Sequence, residues 1–575
     1  MYLIYNGKIR VYNNTVYNCD LGYEVSPNVQ LINNIAQNCD NGYANSWAFW
    51  NYTNYNNLSD LSGDAPGVDA INDATVDFVN ETSDDFHLSI NDLTARNRGV
   101  DLSSDSTLAF SDDVDGDIRL DGSWDIGADE SPTKIYRSVG PSNTSALDDD
   151  NSHADTVSVS SGVATFSSDL PDNVGVGDAV LIDTGGTDQT IDSSDTLLFI
   201  HGRTNPTTYI LRDEAGSAPS DISSNDTYEI YRAYTSLSLA EAGTKNTSIP
   251  STFTGGNRDL VTNNEQWNIA CYGDAVDTGG FTVGGWTTSS SNNIKIYTPV
   301  SSSEVGTSQR HTGLWDASSG YSISYESTGN YQSTIRIYEK HVTVDGLQIS
   351  ISNPSNYTHS TCITTDYITN PALISIKNSI LKGVTAGETN TIGVKTGDSG
   401  AGEAHEVRIS NNVIYDLAYG IYFAESGEKY IYNNTIYNCS TFGIDGGSAV
   451  VAKNNITQNC TDGFLGTFDG ASDYNISDVS GDTTGISTSY RNGLVTDVIF
   501  FDEANDDFHL SVTDTSARNQ GTDLSSDSNL PFWTDIDGET RAYGAAWDIG
   551  ADEFTKATTL FKGGVNVTGG TRITN

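Results

Sequence analysis

Basic residues are scarce in this chain: 28 Lys and Arg stand against 76 Asp and Glu, a formal net charge of −48. That imbalance excludes a nucleic-acid partner gripped through its phosphates and docking to an anionic membrane surface. No apolar run reaches the ~18 residues that a membrane-spanning helix needs. Cysteine is scarce too, with six in 575 residues, too few for a disulfide scaffold, and no spacing resembles a zinc site. Helical periodicity is nearly missing; only residues 236–242, SLSLAEA, suggest a helical turn. Apolar content is 36%, below the usual ~45–50%, although 30 Tyr and 18 Phe supply bulk. No signal peptide precedes MYLIYNGKIRVYNN, which runs straight into a strand pattern. Met1 is therefore not expected to be the natural start of a secreted protein, and the chain is expected to be a segment of a longer one.

What the chain has instead is itself, twice. NNTVYNC from Asn13 returns as NNTIYNC from Asn433, and NNIAQNC from Asn33 as NNITQNC from Asn454. DDFHLS from Asp84 returns from Asp506, DLSSDS from Asp101 returns from Asp523, and WDIGADE from Trp124 returns from Trp547. A long module repeated colinearly is the mark of an array. Arrays more often build length or display surface than house one catalytic centre.

A shorter period lies inside each copy. Asn13 and Asn33, then Asn411, Asn433 and Asn454, recur about every 20 residues, each after a short alternating segment such as KIRVYNN, EVRISNN or KYIYNN. Alternation with period two describes a strand with one buried face. A leucine-rich repeat would need a leucine framework that is missing. The expected fold is all-β: a right-handed parallel β-helix with duplicated terminal modules and an inserted antiparallel β barrel or sandwich. Asn13, Asn33, Asn411, Asn433 and Asn454 are then expected to stack as a ladder, because an Asn amide can bond the coils on either side and tolerates left-handed backbone. Cys19 and Cys39, like Cys439 and Cys460, fall at equal positions of successive coils. Strand spacing suits either a buried thiol stack or disulfides.

The chain divides into β-helix coils over 1–48, a terminal module over 49–131, an antiparallel β domain over 132–235, β-helix over 236–470, a second terminal module over 471–556 and a strand-like tail over 557–575. The NN and NC steps, with the DFHL and WDIGADE endings, resemble right-handed parallel β-helix repeat proteins of bacterial and archaeal surfaces, in the broad pectate-lyase-like superfamily. The resemblance covers most of the chain outside 132–235. It implies the fold and an extracellular or cell-surface location, but the group spans lyases, glycosidases, tailspikes and adhesins, so function has to come from sites.

The one long excursion between coils read from the sequence, residues 383–406, carries Glu388, Asp398, Glu403, His405 and Glu406, with Lys377, Lys382 and Arg408 on neighbouring strands. Asp398, Glu403 and His405 are the candidates for carboxylate chemistry, set against a solvated acidic loop. His87 and His509 recur in DFHL and read as structural hydrogen-bonding groups. Asp113, Asp115 and Asp117 (DVDGD) and Asp535, Asp537 and Glu539 (DIDGE) resemble part of a Ca²⁺ loop, or a turn paired with Arg119 and Arg541. Sequons at Asn51, Asn57, Asn80, Asn143, Asn225, Asn356 and Asn475 allow glycosylation. The function expected is a non-enzymatic structural subunit of a surface fibre, sheath or adhesive appendage that self-associates head to tail. The alternative is a carbohydrate-active or glycan-binding protein.

Overall fold

The computed structural model describes residues 9–25, 29–45, 54–81, 84–89, 92–114, 119, 124–149, 155–184, 191–318, 320–366, 368, 372–385, 388–397, 405–424, 427–447, 449–480, 482, 491–492, 497–541 and 546–554. The expected tail 557–575, the carboxylates Asp115, Asp117, Asp398 and Glu403, and the sequon Asn51 lie outside these residues.

The regular secondary structure of the described chain is almost all strand, and most of those strands lie in stacked parallel sheets, an arrangement consistent with a parallel β-helix. Beyond residue 264 the chain visits three parallel sheets in turn. The first sheet joins Thr133–Val139, Glu265–Cys271, Ile294–Tyr297, Val342–Asp345, Leu373–Lys377, Glu406–Ser410, Lys429–Tyr432 and Val450–Lys453. The second begins at Val276–Asp277 and includes Ile380–Gly383, Val413–Tyr415, Thr435–Tyr437 and Ile456–Gln458. The third begins at Phe281–Val283 and includes Ser333–Ile337, Ser360–Thr365, Thr391–Thr396, Tyr419–Phe423 and Phe442–Asp445. Residues 9–45 repeat the plan on a small scale: Ile9–Tyr12 pairs with Val29–Ile32, Thr15–Tyr17 with Ile35–Gln37, and Tyr23–Val25 with Tyr43–Asn45, all parallel.

Identical registers stack like on like. Ile269, Ile296, Val344, Ile376, Ile409, Ile431 and Ala452 form one continuous column of strand partners, and all are buried. Each large aliphatic side chain so enclosed contributes ~1.5–3 kcal/mol relative to exposure. This explains how a chain of modest apolar content holds its core: the apolar residues are spent on a narrow interior.

The antiparallel part is an eight-stranded sheet running from Asp148–Asp149 to Tyr228–Tyr231, with its own core around Phe166, Val180, Ile200 and Leu211. One strand expected within it, Thr133–Val139, instead pairs parallel with Glu265–Cys271 and belongs to the coil stack. The antiparallel sheet is thus inserted between two neighbouring strands of the first parallel sheet. Arg232 fastens the join. Its buried guanidinium lies 2.9 Å from both Asp178 and Asp274 and 3.6 Å from the Tyr272 ring centre. The SLSLAEA segment forms the helix Leu237–Glu241, capped by the Ser236 hydroxyl, and buries Leu237 and Ala240 against the coil interior.

A second excursion, residues 298–321, escaped the reading from the sequence. It bridges the inserted sheet, where Val305 pairs with Gly175, and the second terminal module, where Gly313 meets His509.

Candidate functional site

Each NN turn divides labour between its two asparagines. The first, at Asn13, Asn33, Asn411, Asn433 or Asn454, has positive φ, between 50° and 55°. The second faces the neighbouring coil and forms the continuous amide ladder. Asn412 donates to Asn434 Oδ1, Asn434 to Asn455 Oδ1 and Asn455 to Asn475 Oδ1, each through both backbone and side-chain nitrogen at 2.9–3.0 Å. Asn14, Asn34 and Asn57 repeat this in the first copy. The ladder expected at the first asparagines is therefore carried by their neighbours. Among the described residues, the first asparagines bond coil to coil only in pairs: Asn33 to Asn13, Asn454 to Asn433 and Asn411 to Asn378.

The main partner of the first asparagines is the WDIGADE module. Asn13 donates to the carbonyls of Asp125 and Gly127, and Asn433 to those of Asp548 and Gly550. Asn33 reaches Val100 O at 2.8 Å, and Asn454 reaches Thr522 O at 2.8 Å. The module lies along the flank of the coils, over their NN turns. Its glycine is obligatory: Gly127 and Gly550 have φ of 107° and 102°, and a Cβ on either would stand 2.5 Å from the Cδ1 of Ile35 or Ile456.

Arg541 stands near enough to Asp535 to favour its charged form, and both Arg119 and Arg541 also reach past the triplets. They turn to the glutamate of WDIGADE, with Arg119 3.0 Å from Glu130 and Arg541 3.2 Å from Glu553, and to the carbonyls of Gly127, Ala128, Gly550 and Ala551. In the second triplet, carboxylate oxygens of Asp535, Asp537 and Glu539 lie within 4.8 Å of one another. Both Asp535 oxygens already accept backbone N–H groups, from Glu539 and Glu553. Burial and then its neighbour Asp537 push the Asp535 carboxyl well up, while bonds from His509 and Asp535 hold Asp537 low against its own burial. Asp113, the described member of the first triplet, accepts the Glu130 N–H in the same way.

The DFHL histidines sit on antiparallel hairpins, 78–80 with 85–88 and 500–502 with 507–510. His87 Nδ1 is 2.5 Å from Asp85, and His509 Nδ1 is 2.5 Å from Asp507. His509 Nε2 lies 3.6 Å from Asp537. Burial disfavours the imidazolium of His509, but Asp537, Asp552 and Asp507 outweigh it and raise the group to about 10. The ring is a fixed cation at neutral pH, unsuited to act as a general base.

His405, the described member of the excursion candidates, is fully buried. Its Nε2 lies 3.0 Å from Thr365 Oγ1, and burial lowers its pKa to about 3. Glu388 accepts the Asn353 N–H and Glu406 accepts from Arg408, so both serve the scaffold. All six cysteines are free thiols. Cys39, Cys439 and Cys460 are buried, and burial raises Cys39 to about 11, so these stacks are inert packing rather than nucleophiles. Two expected sequons, Asn57 and Asn475, are fully buried members of the ladder and cannot carry glycans.

The outer face of the third sheet holds groups that sequence patterns did not single out. One strand-to-strand row runs Thr282, Arg336, Thr364, Lys395, Tyr422. Arg336 lies 3.8 Å from Asp366 and donates to the Tyr338 hydroxyl, and Ser333 donates to Thr364. Rings continue the face: Tyr331 to His359 at 5.5 Å, His359 to Tyr422 at 5.9 Å, and Tyr419 to Phe442 at 4.9 Å. Tyr331 and Tyr338 are exposed. In so acidic a chain, a face with Arg336 and Lys395 among hydroxyls and rings stands apart. Among the described residues lining its central dimple, Asp366 is the sole carboxylate, which gives a binding chemistry rather than the paired carboxylates of hydrolysis. Its signal lay in outward positions of strands 333–337 and 391–396, which alternation marks only as polar. No family model matches the chain, and no curated protein matches it either.

Proposed function

We propose that this is a non-enzymatic structural protein of a cell surface or extracellular fibre, sheath or appendage, built on a right-handed parallel β-helix carrying duplicated flank modules. One observation carries the reading: the residues that recur between the copies are consumed in bonds within the chain. Asn13 and Asn433 hold the modules; Arg119 and Arg541 fold onto Glu130 and Glu553. Repetition has preserved a scaffold, not a cleft. Purified protein should release neither reducing nor unsaturated ends from neutral or acidic polysaccharides. Release that disappears on changing Asp366 would overturn the structural reading.

Head-to-tail self-association belongs to the same proposal. Negative-stain microscopy and sedimentation across a concentration series test it; single particles throughout would remove it. Ca²⁺ at Asp535, Asp537 and Glu539 belongs to it as well, since three hard oxygen donors stand close together. An identical melting midpoint in Ca²⁺ and in chelator would remove that part.

A second reading, glycan binding, is favoured by the third-sheet face. Arg336 suits a sugar carboxylate or sulfate, the Ser and Thr hydroxyls suit ring hydroxyls, and Tyr331 and Tyr422 offer stacking surfaces. Calorimetric titration with uronic-acid oligosaccharides should give binding that Arg336→Ala abolishes. Heat unchanged by that substitution would exclude this face.

A further inference from the structure

The outer face of the first parallel sheet gathers positive charge that the chain otherwise lacks. Lys295, Thr343, Ser375 and Arg408 are partners on four successive strands, and Tyr297, Asp345 and Lys377 form the next row. The inserted sheet and the 298–321 excursion bound one side, where Tyr136, Val176, Tyr297 and Val305 pack together. The second module bounds the other, where Tyr430 and Tyr432 pack with Leu524, Leu530 and Trp547. The saddle between them is half-open, with the side chains of Lys295 and Lys377 34% and 39% exposed.

The carboxylates of this saddle are already engaged. Asp345 Oδ1 accepts from Arg310 at 2.7 Å and from Asn378 at 2.8 Å. Against its own burial, Arg310, Lys377 and Lys295 hold the Asp345 carboxyl below the usual range. Glu304 accepts from the Tyr297 hydroxyl and from the N–H groups of Val300 and Ser301, and Glu406 is tied to Arg408. The Lys295 and Lys377 ammoniums stand 4.0 and 3.8 Å from Asp345 Oδ2, beyond hydrogen-bonding reach, so that carboxylate does not take up their protons. Partial burial pulls Lys295 down first; Asp345 then supports its charge, while Lys377 and Arg310 oppose it. Among the described residues, the Thr343 and Ser375 hydroxyls beside these lysines have no hydrogen-bond partner. Salt at physiological strength screens exposed charges more than ~8 Å apart, so the remote acidic surface does little to neutralise the patch.

We propose that this saddle is a binding site for a tetrahedral oxyanion, phosphate or sulfate, held between Lys295 and Lys377, with the Thr343 and Ser375 hydroxyls as further donors and Arg408 at the rim. A lysine ammonium is a compact point charge with three donors, which suits an oxyanion met from several sides. A planar carboxylate is matched better by a guanidinium fork, and the arginines here face Asp345 and Glu406 instead. The bound anion would relieve the repulsion between the two lysines that Asp345 only partly offsets. The site lies on a different sheet from the Arg336 face and does not depend on glycan binding there.

The experiment titrates the full chain calorimetrically, at neutral pH and low ionic strength, with inorganic phosphate, inorganic sulfate, glucose 6-phosphate and glucose. The expected result is saturable one-site heat from the oxyanions and none from glucose. Changing both lysines, Lys295→Gln with Lys377→Gln, should weaken binding at least tenfold, and Ser375→Ala several-fold. The charge-keeping pair Lys295→Arg with Lys377→Arg should retain binding, and Lys340→Gln, beyond the third-sheet strand Ser333–Ile337, should leave it unchanged. Melting curves check that each variant is folded. Tighter binding of glucose 6-phosphate than of phosphate would support the site as one for a phosphorylated sugar, and equal affinity as one for the free ion. The absence of saturable heat from every oxyanion overturns the proposal. So does binding indifferent to both lysines, or glucose bound as well as its phosphate.

Discussion

The side-chain amide of Asn455 is bonded on every side. Its nitrogen donates to Ile431 O, Lys453 O and Asn475 Oδ1, while its oxygen accepts both nitrogens of Asn434. Truncation would strand several buried backbone groups, and each such group left unpaired costs ~1–3 kcal/mol. Asn455→Ala is therefore expected to lower thermal stability by at least that amount. Asn14→Ala, at an exposed position on the same ladder, should cost less than ~0.5 kcal/mol. Equal melting shifts for the two would contradict the ladder. The NN step itself was legible, because few residues accept left-handed backbone as readily as Asn. Which Asn of the pair turns inward was not legible. A positive-φ residue interrupts the period-two alternation, so the faces of its neighbours cannot be counted across it. For the same reason Asn475, which ends no NN pair, reads in the sequence as a surface sequon, although in the structure it accepts from Asn455 as a member of the ladder.

Elements that follow the coil period could be read; those that leave it could not. Residues 373–377, 406–410 and 429–432 announce themselves by alternation, whereas 298–321 has no period and its role depends on where it lands. The DFHL hairpin was visible as a repeat, but its charge state depends on Asp537, 28 positions downstream of His509. That charge state has a pH consequence. Folding raises His509 to about 10, against an unfolded imidazole near ~6.5. A group whose folded pKa is raised contributes its full stabilisation below the unfolded value and loses it as pH climbs through the folded one. Stability held by His509 should thus be complete below about pH 6.5 and decline toward pH 10. His509→Gln should flatten the melting profile across that window while changing little of its shape between pH 4 and 6, as read by thermal melts ~1 pH unit apart. An unchanged slope between neutral pH and pH 10 would show that the imidazolium does not support the hairpin.

At the scale of the molecule, the cores of the two copies share no residue. Val11, Leu31 and Tyr23 pack with one another near the first coils, and Ile35, Phe78, Leu88 and Ile126 join the first module to them. The long column through Ile296, Ile376 and Ile431 and the cluster of Phe500, Phe508 and Ile549 belong to the second. Between them the described links include Asn264 donating to Glu130 O, Arg96 donating to Pro132 O, and a cavity lined by Val79, His87 and Asp129 on one side and Gln266, Ser290 and Asn293 on the other. In a linear stack, stability is set by each unit and by its contacts with its neighbours, so weak contacts allow separate unfolding. Calorimetry is expected to resolve at least two transitions, the smaller belonging to the first copy with its short coil stack. Asn34→Ala, inside the first ladder, should move only the smaller transition, and Asn434→Ala only the larger. A single transition shifted equally by either substitution would mean that the charge, the link and the coils act as one cooperative body. The separation between copies would then lie in the sequence alone.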